Sequence, residues 1–260
     1  MAASFDNAAV AYDKTFTKSN IGKLQRAQVY SVLDQLLKKN KINTTLEINC
    51  GTGEDAQWLA SKGLNVIATD ISEKMLQVAI AKKGSGTVKF EYADINQIGT
   101  QYSGRSFDMI FSNFGGLNCL APSELKLFFV NAAALLPKHG KLVVVIMPKN
   151  TLWEKIYFYF KGDLTKAKRR NSGKADVNVN GENVPTFYYN PQDVIPFAKV
   201  AFHAIDLKPI GLFVPPSYLE HFFKTKPMLL SAFATLDKLI SNVKYTARYS
   251  DHYLIVFDKK

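Results

Sequence analysis

Cysteine is scarce in this 260-residue chain, which contains two, Cys50 and Cys119. Their spacing forms no CxxC-type metal motif, and two cysteines provide no disulfide framework. The sequence therefore predicts no metal site. It also predicts a protein of a reducing compartment, for which the cytoplasm is the simplest expectation.

Long apolar runs are missing as well. No stretch reaches the roughly 18–20 apolar residues that a membrane-spanning helix requires. The first residues, MAASFDNAAVAYDKTF, contain acidic residues and lack the basic start and apolar core of a secretory signal. We therefore expect neither a membrane span nor a secretory leader.

Positive charge, by contrast, is in excess. The chain has 33 Lys and Arg against 22 Asp and Glu, a formal net charge of +11. Such a balance is found in proteins that bind nucleic acid, membrane surfaces or anionic ligands. The one concentrated basic run, KGDLTKAKRRNSGK, covers residues 161–174. We favour a solvated surface for this run and keep phosphate binding as the alternative.

Apolar strand-like runs alternate with amphipathic helical runs in the first 150 residues. The predicted strands are 43–49, 64–70, 87–94, 107–113 and 140–147, all rich in β-branched and apolar residues. Helical spacing of apolar residues marks the segments between them, with Ser72 and Ser123 as expected N-caps. This alternation predicts an α/β fold, a mostly parallel, doubly wound sheet with helices on both faces.

The pattern changes near residue 150. Asn180-Gly181 between two extended segments predicts a β-hairpin, helical runs follow at 217–224 and 227–241, and 252–258 reads as a final strand. We expect one domain over 1–260. It comprises a helical cap (1–40), a cofactor-binding core (41–147) and two inserted lid segments (150–190 and 215–245). Ligands of open α/β sheets bind beyond the carboxyl ends of the strands, and both lids leave near that edge.

The stretch LEINCGTGED (46–55) has the layout of a nucleotide-binding turn, a strand followed by Gly-x-Gly and a helix. In a dinucleotide site this helix begins with free amides facing a pyrophosphate. Here Glu54 and Asp55 occupy that position, and their carboxylates would repel phosphate. An acidic loop suits a cofactor that carries an ammonium or a sulfonium.

These residues resemble the class I S-adenosylmethionine (SAM)-dependent methyltransferases, and the resemblance covers about residues 5–147. It implies a Rossmann-like sheet of seven mostly parallel strands with an antiparallel C-terminal strand. It also implies SAM as the cofactor and S-adenosylhomocysteine (SAH) as a product.

The resemblance assigns cofactor-binding roles to individual residues. Asp70 would hold the ribose hydroxyls and Asp94 the adenine amino group, with Ile71, Met75 and Ile95 against the adenine. Tyr12 would line the pocket, and Arg26 is a candidate partner for the SAM carboxylate. The assigned residues are Tyr12, Arg26, Glu47, Asn49, Gly51, Gly53, Asp70, Ile71, Met75, Asp94, Ile95 and Asn113.

Asn49 stands where the family carries its first glycine. Asparagine enters the left-handed backbone region more readily than other non-glycine residues. If the turn requires a positive φ there, asparagine provides it at modest cost. If the turn requires the absence of a Cβ, cofactor affinity falls.

The methyl acceptor is less clearly indicated. The turn after the fourth predicted strand reads SNFGGLN and lacks the Asn/Asp-Pro-Pro-aromatic motif of enzymes that methylate planar amino groups. The cap and mid-chain insertion resemble the small-molecule branch related to ubiquinone and menaquinone methyltransferases. Expected acceptor-pocket residues are Phe114, Asn118, Trp153, Tyr188, Tyr189 and Tyr218. We assign Tyr157, Phe158 and Phe160 mainly to the core.

No catalytic residue is assigned with certainty, and Glu220 and His221 are weak candidates for a proton acceptor. Three alternatives to a small-molecule methyltransferase stay open. The first is an RNA or protein methyltransferase that uses segment 161–174 for phosphate contacts. The second is a SAM-binding module without catalysis, and the third, disfavoured by Glu54 and Asp55, is a nicotinamide enzyme. The sequence does not indicate the oligomeric state.

Overall fold

Among the residues that the structure describes, seven strands form a single mixed sheet and two more form a separate hairpin. The computed structural model describes residues 6, 9–82, 84, 87–179 and 181–260. Within them the strands are β1 (Thr44–Ile48), β2 (Asn65–Asp70), β3 (Val88–Tyr92), β4 (Met109–Ser112), β5 (Lys141–Ile146), β6 (Lys174–Val179), β7 (Glu182–Phe187), β8 (Phe202–Ile210) and β9 (His252–Lys259). All five strands predicted for the first half are confirmed.

The order of the large sheet is β3-β2-β1-β4-β5-β9-β8. Strands β1 to β5 pair in parallel, whereas β9 runs antiparallel to both β5 and β8. The predicted class, a Rossmann-like and mostly parallel seven-stranded sheet with an antiparallel C-terminal strand, is confirmed.

Helices connect the strands and cover the sheet. The α-helices of the described residues are α1 (Ala9–Tyr12), α2 (Asn20–Lys39), α3 (Glu54–Ser61), α4 (Glu73–Ala81), α5 (Ile98–Gln101), α6 (Pro122–Ala134), α7 (Leu152–Phe160), α8 (Leu164–Ala167), α9 (Pro191–Ala198), α10 (Glu220–Phe223) and α11 (Pro227–Ile240). A π-helical turn, Asp13–Thr17, joins α1 to α2. No helix in this described part has the length and apolarity needed to cross a membrane.

The apolar side chains of each central strand alternate between two buried layers. In β5, Leu142 and Val144 pack with helices α6 and α9 on one face, while Val143 and Val145 pack with α2 and α3 on the other. A strand directs successive side chains to opposite faces. The near-continuous apolar runs in the sequence are therefore explained by a sheet that is buried on both sides.

The two predicted helix caps have different outcomes. The Ser72 hydroxyl accepts a hydrogen bond from the Met75 amide and caps α4, as expected. Ser123 is not a cap, because α6 begins one residue earlier, at Pro122. Proline is favoured at the first helical position because it lacks an amide hydrogen.

The two predicted lid segments contain helices α7 and α8 with the β6–β7 hairpin, and helices α10 and α11. Asn180, part of the predicted hairpin turn, lies outside the described residues, as does the start of the cap (1–5, 7 and 8). Phe160 was expected in the core and is 83% exposed, so that expectation is wrong. This helix face carries aromatic residues without being covered.

The reversal of β9 determines what meets at one edge of the sheet. Parallel strands β1, β2, β4 and β5 end at the same edge, where ligands of such sheets bind. Because β9 runs in the opposite direction, its first residues, rather than its last, lie at that edge: His252 pairs with Ile210 and Tyr253 with Ile146.

Candidate functional site

A cavity of about 400 Å³ lies at the carboxyl edge of the sheet. Its walls combine the ends of β1, β2 and β4, the first helices and both lid segments. The lining residues are Tyr12, Asn49, Gly51, Asp70, Ile71, Met75, Asp94, Ile95, Asn96, Asn113, Phe114, Gly115, Gly116, Cys119, Leu120, Met147, Arg169, Arg170, Val177, Val184, Thr186, Tyr188, Pro216, Ser217, Tyr218, Asp251 and His252. Its size falls in the range typical of small-molecule sites, roughly 300–1,000 Å³.

The turn after β1 forms the floor of one half of the cavity, which we call the cofactor half. Asn49, Gly51 and Gly53 all have positive φ, at 57°, 54° and 76°. The first of the two explanations for Asn49 therefore applies, because the turn requires the left-handed conformation that asparagine tolerates. Gly53 does not line the cavity. A Cβ there would come within 2.8 Å of the Phe90 ring, so glycine allows α3 to pack close to β3.

Asp70 closes the same half of the cavity at the end of β2. Its Oδ2 accepts a hydrogen bond from the Gly51 amide at 2.8 Å and its Oδ1 accepts one from the Ser72 amide at 2.9 Å. Burial raises the pKa of this carboxyl, against the opposing effect of the two amides. The backbone thus fixes the carboxylate, and each oxygen keeps a lone pair for a ligand hydroxyl.

Glu47, in β1, is a buried carboxylate without a complete set of partners. It is 1% exposed, and its Oε2 has no hydrogen-bond partner within the part of the chain that the structure describes. Burial raises its pKa well above the ordinary value, and the neighbouring Asp55 adds to the effect. Glu47 is not among the residues that line the cavity, so its role in binding the cofactor stays a prediction.

Arg26 does not lie on the cavity wall. It forms a buried ion pair with Asp55, which also accepts hydrogen bonds from Tyr30 and Asn113. The geometry therefore does not support Arg26 as a partner of the cofactor carboxylate. Asp55 is neutralised within the protein, and its role is to hold α2, α3 and the turn after β4 together.

The residues expected against the adenine do converge. Ile71, Met75, Asp94 and Ile95 all line the cavity, as does Tyr12 from the N-terminal helices. The Asp94 Oδ1 accepts a hydrogen bond from the Asn96 amide and starts a short 3-10 turn. This bond orients the carboxylate at the end of β3.

Asn113 and Phe114 follow β4 and mark the boundary between the two halves of the cavity. Asn113 Oδ1 accepts a hydrogen bond from the Phe114 amide at 2.9 Å. Phe114 has a φ of 40°, a strained conformation for a bulky residue and one that is typical of functional sites. Beyond Phe114, Tyr188 and Tyr218 contribute aromatic walls to the other half of the cavity. This half is formed by the lids, and we call it the acceptor half.

Three other residues expected in the acceptor pocket have structural roles instead. The Asn118 side-chain amide forms hydrogen bonds with the backbone of Met147 and Phe187. The Tyr189 hydroxyl donates a hydrogen bond to the Leu120 carbonyl. The Trp153 indole donates one to the Phe213 carbonyl. These side chains tie the lids to the core. They satisfy buried backbone groups and do not line the cavity.

Neither candidate for a proton acceptor faces the cavity. The Glu220 carboxylate accepts hydrogen bonds from the amides of Asn20 and Ile21, both at 3.0 Å, at the N-terminus of α2. It thereby occupies the amides that a helix start leaves free. His221 is exposed. The structure therefore does not support Glu220 or His221 as the proton acceptor.

Four charged or titratable residues that sequence reasoning missed line the acceptor half: Arg169, Arg170, Asp251 and His252. The first two belong to the basic run 161–174. Both guanidiniums pair with the buried Glu154, at 2.7 Å each, so this part of the run is folded into the protein. The Asp-His pair at the start of the last strand was a possible signal, because an antiparallel strand begins at the ligand edge.

Comparison with known proteins agrees with this geometry. Residues 45–140 match the family model described as a methyltransferase domain. These residues form a class I methyltransferase domain. The recognition made from the sequence is confirmed, and the cofactor of this domain class is SAM.

Relatives and solved structures extend the likeness beyond the domain. Over 125 residues the chain is 31% identical to demethylmenaquinone methyltransferase of Clavibacter sepedonicus, a match that covers 48% of this chain and 49% of the relative. The chain thus spans about half the length of the curated relatives it matches. The PH0226 protein of Pyrococcus horikoshii OT3 has the same fold, with a TM-score of 0.61, 18% identity and coverage of 96% of this chain and 98% of that one.

A second solved structure was determined with bound SAH, the magnesium protoporphyrin IX methyltransferase ChlM of Synechocystis PCC 6803. Its TM-score is 0.57 at 15% identity, covering 93% of this chain and 88% of that one. The methyltransferase domain described here fits the same kind of cofactor. It offers the fixed carboxylate of Asp70 and the carboxylate of Asp94 on the wall of one cavity.

Proposed function

We propose that this protein transfers the methyl group of SAM to a small-molecule acceptor enclosed in the cavity. One observation carries the proposal: a single cavity is lined by Asp70 and Asp94 on the domain side and by Tyr188 and Tyr218 on the lid side. A donor and an acceptor held in one enclosed space are aligned without a search through solution.

The two lid segments support a small acceptor over a macromolecular one. Residues 150–190 and 215–245 both contribute side chains to the cavity wall, so a substrate has to fit beneath them. The name of one relative, demethylmenaquinone methyltransferase, agrees with a small acceptor, whereas the name of another, malonyl-[acyl-carrier protein] O-methyltransferase, places the acceptor group on a carrier protein.

We also propose the cytoplasm as the compartment. Cys50 and Cys119 are both free thiols in the structure, and unpaired buried thiols persist in a reducing environment. This assignment is tested by fractionation of cells that produce a tagged chain.

The cofactor half is tested by Asp70→Asn, with Asp34→Asn on α2 as the matched control. Asp34 is partly exposed and pairs with Lys62. Isothermal titration with SAH is expected to show a loss of about 1–3 kcal/mol for the Asp70 variant, the scale of hydrogen bonds to a charged group, and no change for the control. An unchanged dissociation constant in the Asp70 variant removes this residue from the site.

The substrate class is tested by label transfer. The protein is incubated with methyl-labelled SAM and a cell extract, and label is counted in the small-molecule, RNA and protein fractions. We expect label in the small-molecule fraction. Label in RNA or protein would overturn the proposal, and SAM binding without transfer in extracts from several growth conditions would favour a non-catalytic SAM-binding module.

A further inference from the structure

An ionisable pair faces the acceptor half of the cavity at the start of β9. Asp251 is 5% exposed and His252 is 8% exposed, and both line the cavity. The His252 Nδ1 lies 3.2 Å from Asp251 Oδ2. Nδ1 is buried and has no hydrogen-bond partner among the described residues, so its contact with Asp251 is one of charge and not a formed hydrogen bond. Nε2 is the ring nitrogen that remains for a molecule in the cavity.

The Asp251 carboxylate is prepared to stabilise a protonated imidazole. Its Oδ2 accepts a hydrogen bond from the Gln25 side-chain amide at 3.0 Å. Burial works to raise the pKa of Asp251, but His252 and Arg170 outweigh it and lower this pKa below the usual value. A buried, ionised carboxylate beside an imidazole orients the ring and favours its charged form.

Phe114 holds the imidazole from the other side. The two rings meet edge to face, with centroids 5.4 Å apart and planes at 86°. Phe114 directly follows Asn113, at the boundary between the cofactor half and the acceptor half. The imidazole is therefore fixed beside the junction where donor and acceptor have to meet.

We propose that His252 is the general base of the reaction, positioned by Asp251, and that the acceptor is a weakly acidic hydroxyl of the phenol or enol class. This inference rests on the methyl transfer proposed above and names the chemistry of the same site.

The acceptor oxygen forms the new bond to the methyl carbon, and the electron pair of the broken S–CH₃ bond stays on sulfur. The O–H electron pair stays on the acceptor oxygen, and its proton passes to His252 Nε2. The imidazolium, stabilised by Asp251, later releases that proton to water.

The need for a base selects the acceptor class. A carboxylate has already lost its proton at neutral pH, and a neutral amine attacks through its lone pair without losing one first. A thiol ionises partly by itself, and an aliphatic alcohol is too weak an acid for an imidazole. A phenol or enol lies between these cases, where proton transfer to histidine is effective. The walls formed by Phe114, Tyr188 and Tyr218 suit an aromatic or planar molecule.

Other charged and titratable groups surround the pair. Arg170 lies close enough to lower the pKa of Asp251 and is itself paired with Glu154. Tyr188 and Tyr218 line the same wall, and burial raises the pKa of both hydroxyls, so they stay neutral at physiological pH. Among these groups, the imidazole is the one with a ring-nitrogen lone pair that can accept a proton.

The test uses 4-nitrophenol as a probe, because its ionised form absorbs visible light and its neutral form does not. The protein is saturated with SAH, at a pH where the free probe is mostly neutral. We expect phenolate absorbance to appear when the probe binds. It should disappear in His252→Gln, weaken in Asp251→Asn and remain in the control His203→Gln, an exposed histidine on β8.

Several results would overturn the assignment: a probe that does not bind or stays neutral in the unmodified protein, or a phenolate signal that persists in His252→Gln. The measurement on the unmodified protein is decisive even if a variant fails to fold. SAH titration of each protein separates the two proposals. If SAH does not bind the unmodified protein, the proposed function fails, and if SAH binds while the probe stays neutral, only the base assignment fails.

Discussion

Asn49 and Gly116 fit against each other across the floor of the cavity. A Cβ on Gly116 would come within 2.6 Å of the Asn49 Cβ, far closer than van der Waals contact. Asn49 belongs to the turn after β1 and Gly116 to the turn after β4. The asparagine that replaces the family's glycine in one turn is thus accommodated by a glycine in the other.

This relationship predicts a compensating pair of substitutions. Gly116→Ala should destabilise the protein by about 1–3 kcal/mol, the cost of overpacking a tight contact. Adding Asn49→Gly removes the opposing Cβ and should recover most of that loss, because glycine also accepts the positive φ. Urea unfolding of the two single variants and the double variant measures the coupling. A double variant no more stable than Gly116→Ala would contradict the contact.

Glu154 neutralises the two arginines of the acceptor wall. Its side chain is 3% exposed, between Arg169 and Arg170. Glu154→Gln should lower the free energy of unfolding by about 2–3 kcal/mol, somewhat less than for a fully buried pair because Arg169 stays partly solvated. Chemical denaturation checks this, with the exposed Glu73→Gln on α4 as a control expected to cost less than about 1 kcal/mol. Equal effects in both would show that the arginines need no counter-charge.

The basic run provides a test against nucleic acid. Arg169 and Arg170 are folded inward, whereas Lys166 and Lys168 are exposed. Replacing both lysines with glutamine should leave SAH affinity and methyl transfer to the small-molecule fraction unchanged. Filter binding with a mixed RNA pool should show no specific retention for either protein. Retention that falls steeply with salt and is lost in the double variant would instead make the run a phosphate-binding surface.

Cys119 should react slowly, and the cofactor should protect it. Burial raises the pKa of this thiol to about 11, so the reactive thiolate is rare at neutral pH and increases only as the pH rises toward that value. Because Cys119 lines the cavity, SAH should slow its alkylation further. Mass spectrometry after iodoacetamide treatment at neutral and alkaline pH measures both effects, with Cys50→Ala isolating the signal. Fast modification at neutral pH, at the rate of a free cysteine, would place Cys119 outside this buried environment.

Much of the fold is determined by local sequence patterns and can therefore be predicted from the sequence. Strand β5 is apolar from Leu142 to Ile146 because both faces are covered. Asn49 adopts the positive φ that its position in the turn demands. The sequence pattern also predicts where a strand ends, so the position of Asp70 on the cavity wall follows from its place at the end of β2.

The acceptor half depends on contacts between distant segments, and sequence patterns carry little of it. Trp153 and Asn118 are residue types that often line pockets. In this structure they form hydrogen bonds with residues far along the chain and have structural roles. His252 reads as the first residue of a strand, and only the direction of that strand in the sheet places it at the cavity. Phe160 follows a helical apolar pattern, but no other described segment covers it.

The reversed strand β9 also places the proposed base on a different part of the protein from the lid residues that shape the acceptor half. From Tyr253 onward β9 is paired on both sides, with β5 and β8, and His252 at its start pairs with Ile210 of β8. We therefore expect the sheet to hold the backbone of His252 in place. Tyr188 and Tyr218 belong to the lid segments, outside the seven-stranded sheet, where local opening costs less than the opening of a central strand. A different acceptor can therefore be accommodated by changes in the lids, while the position of the proposed proton transfer stays constant.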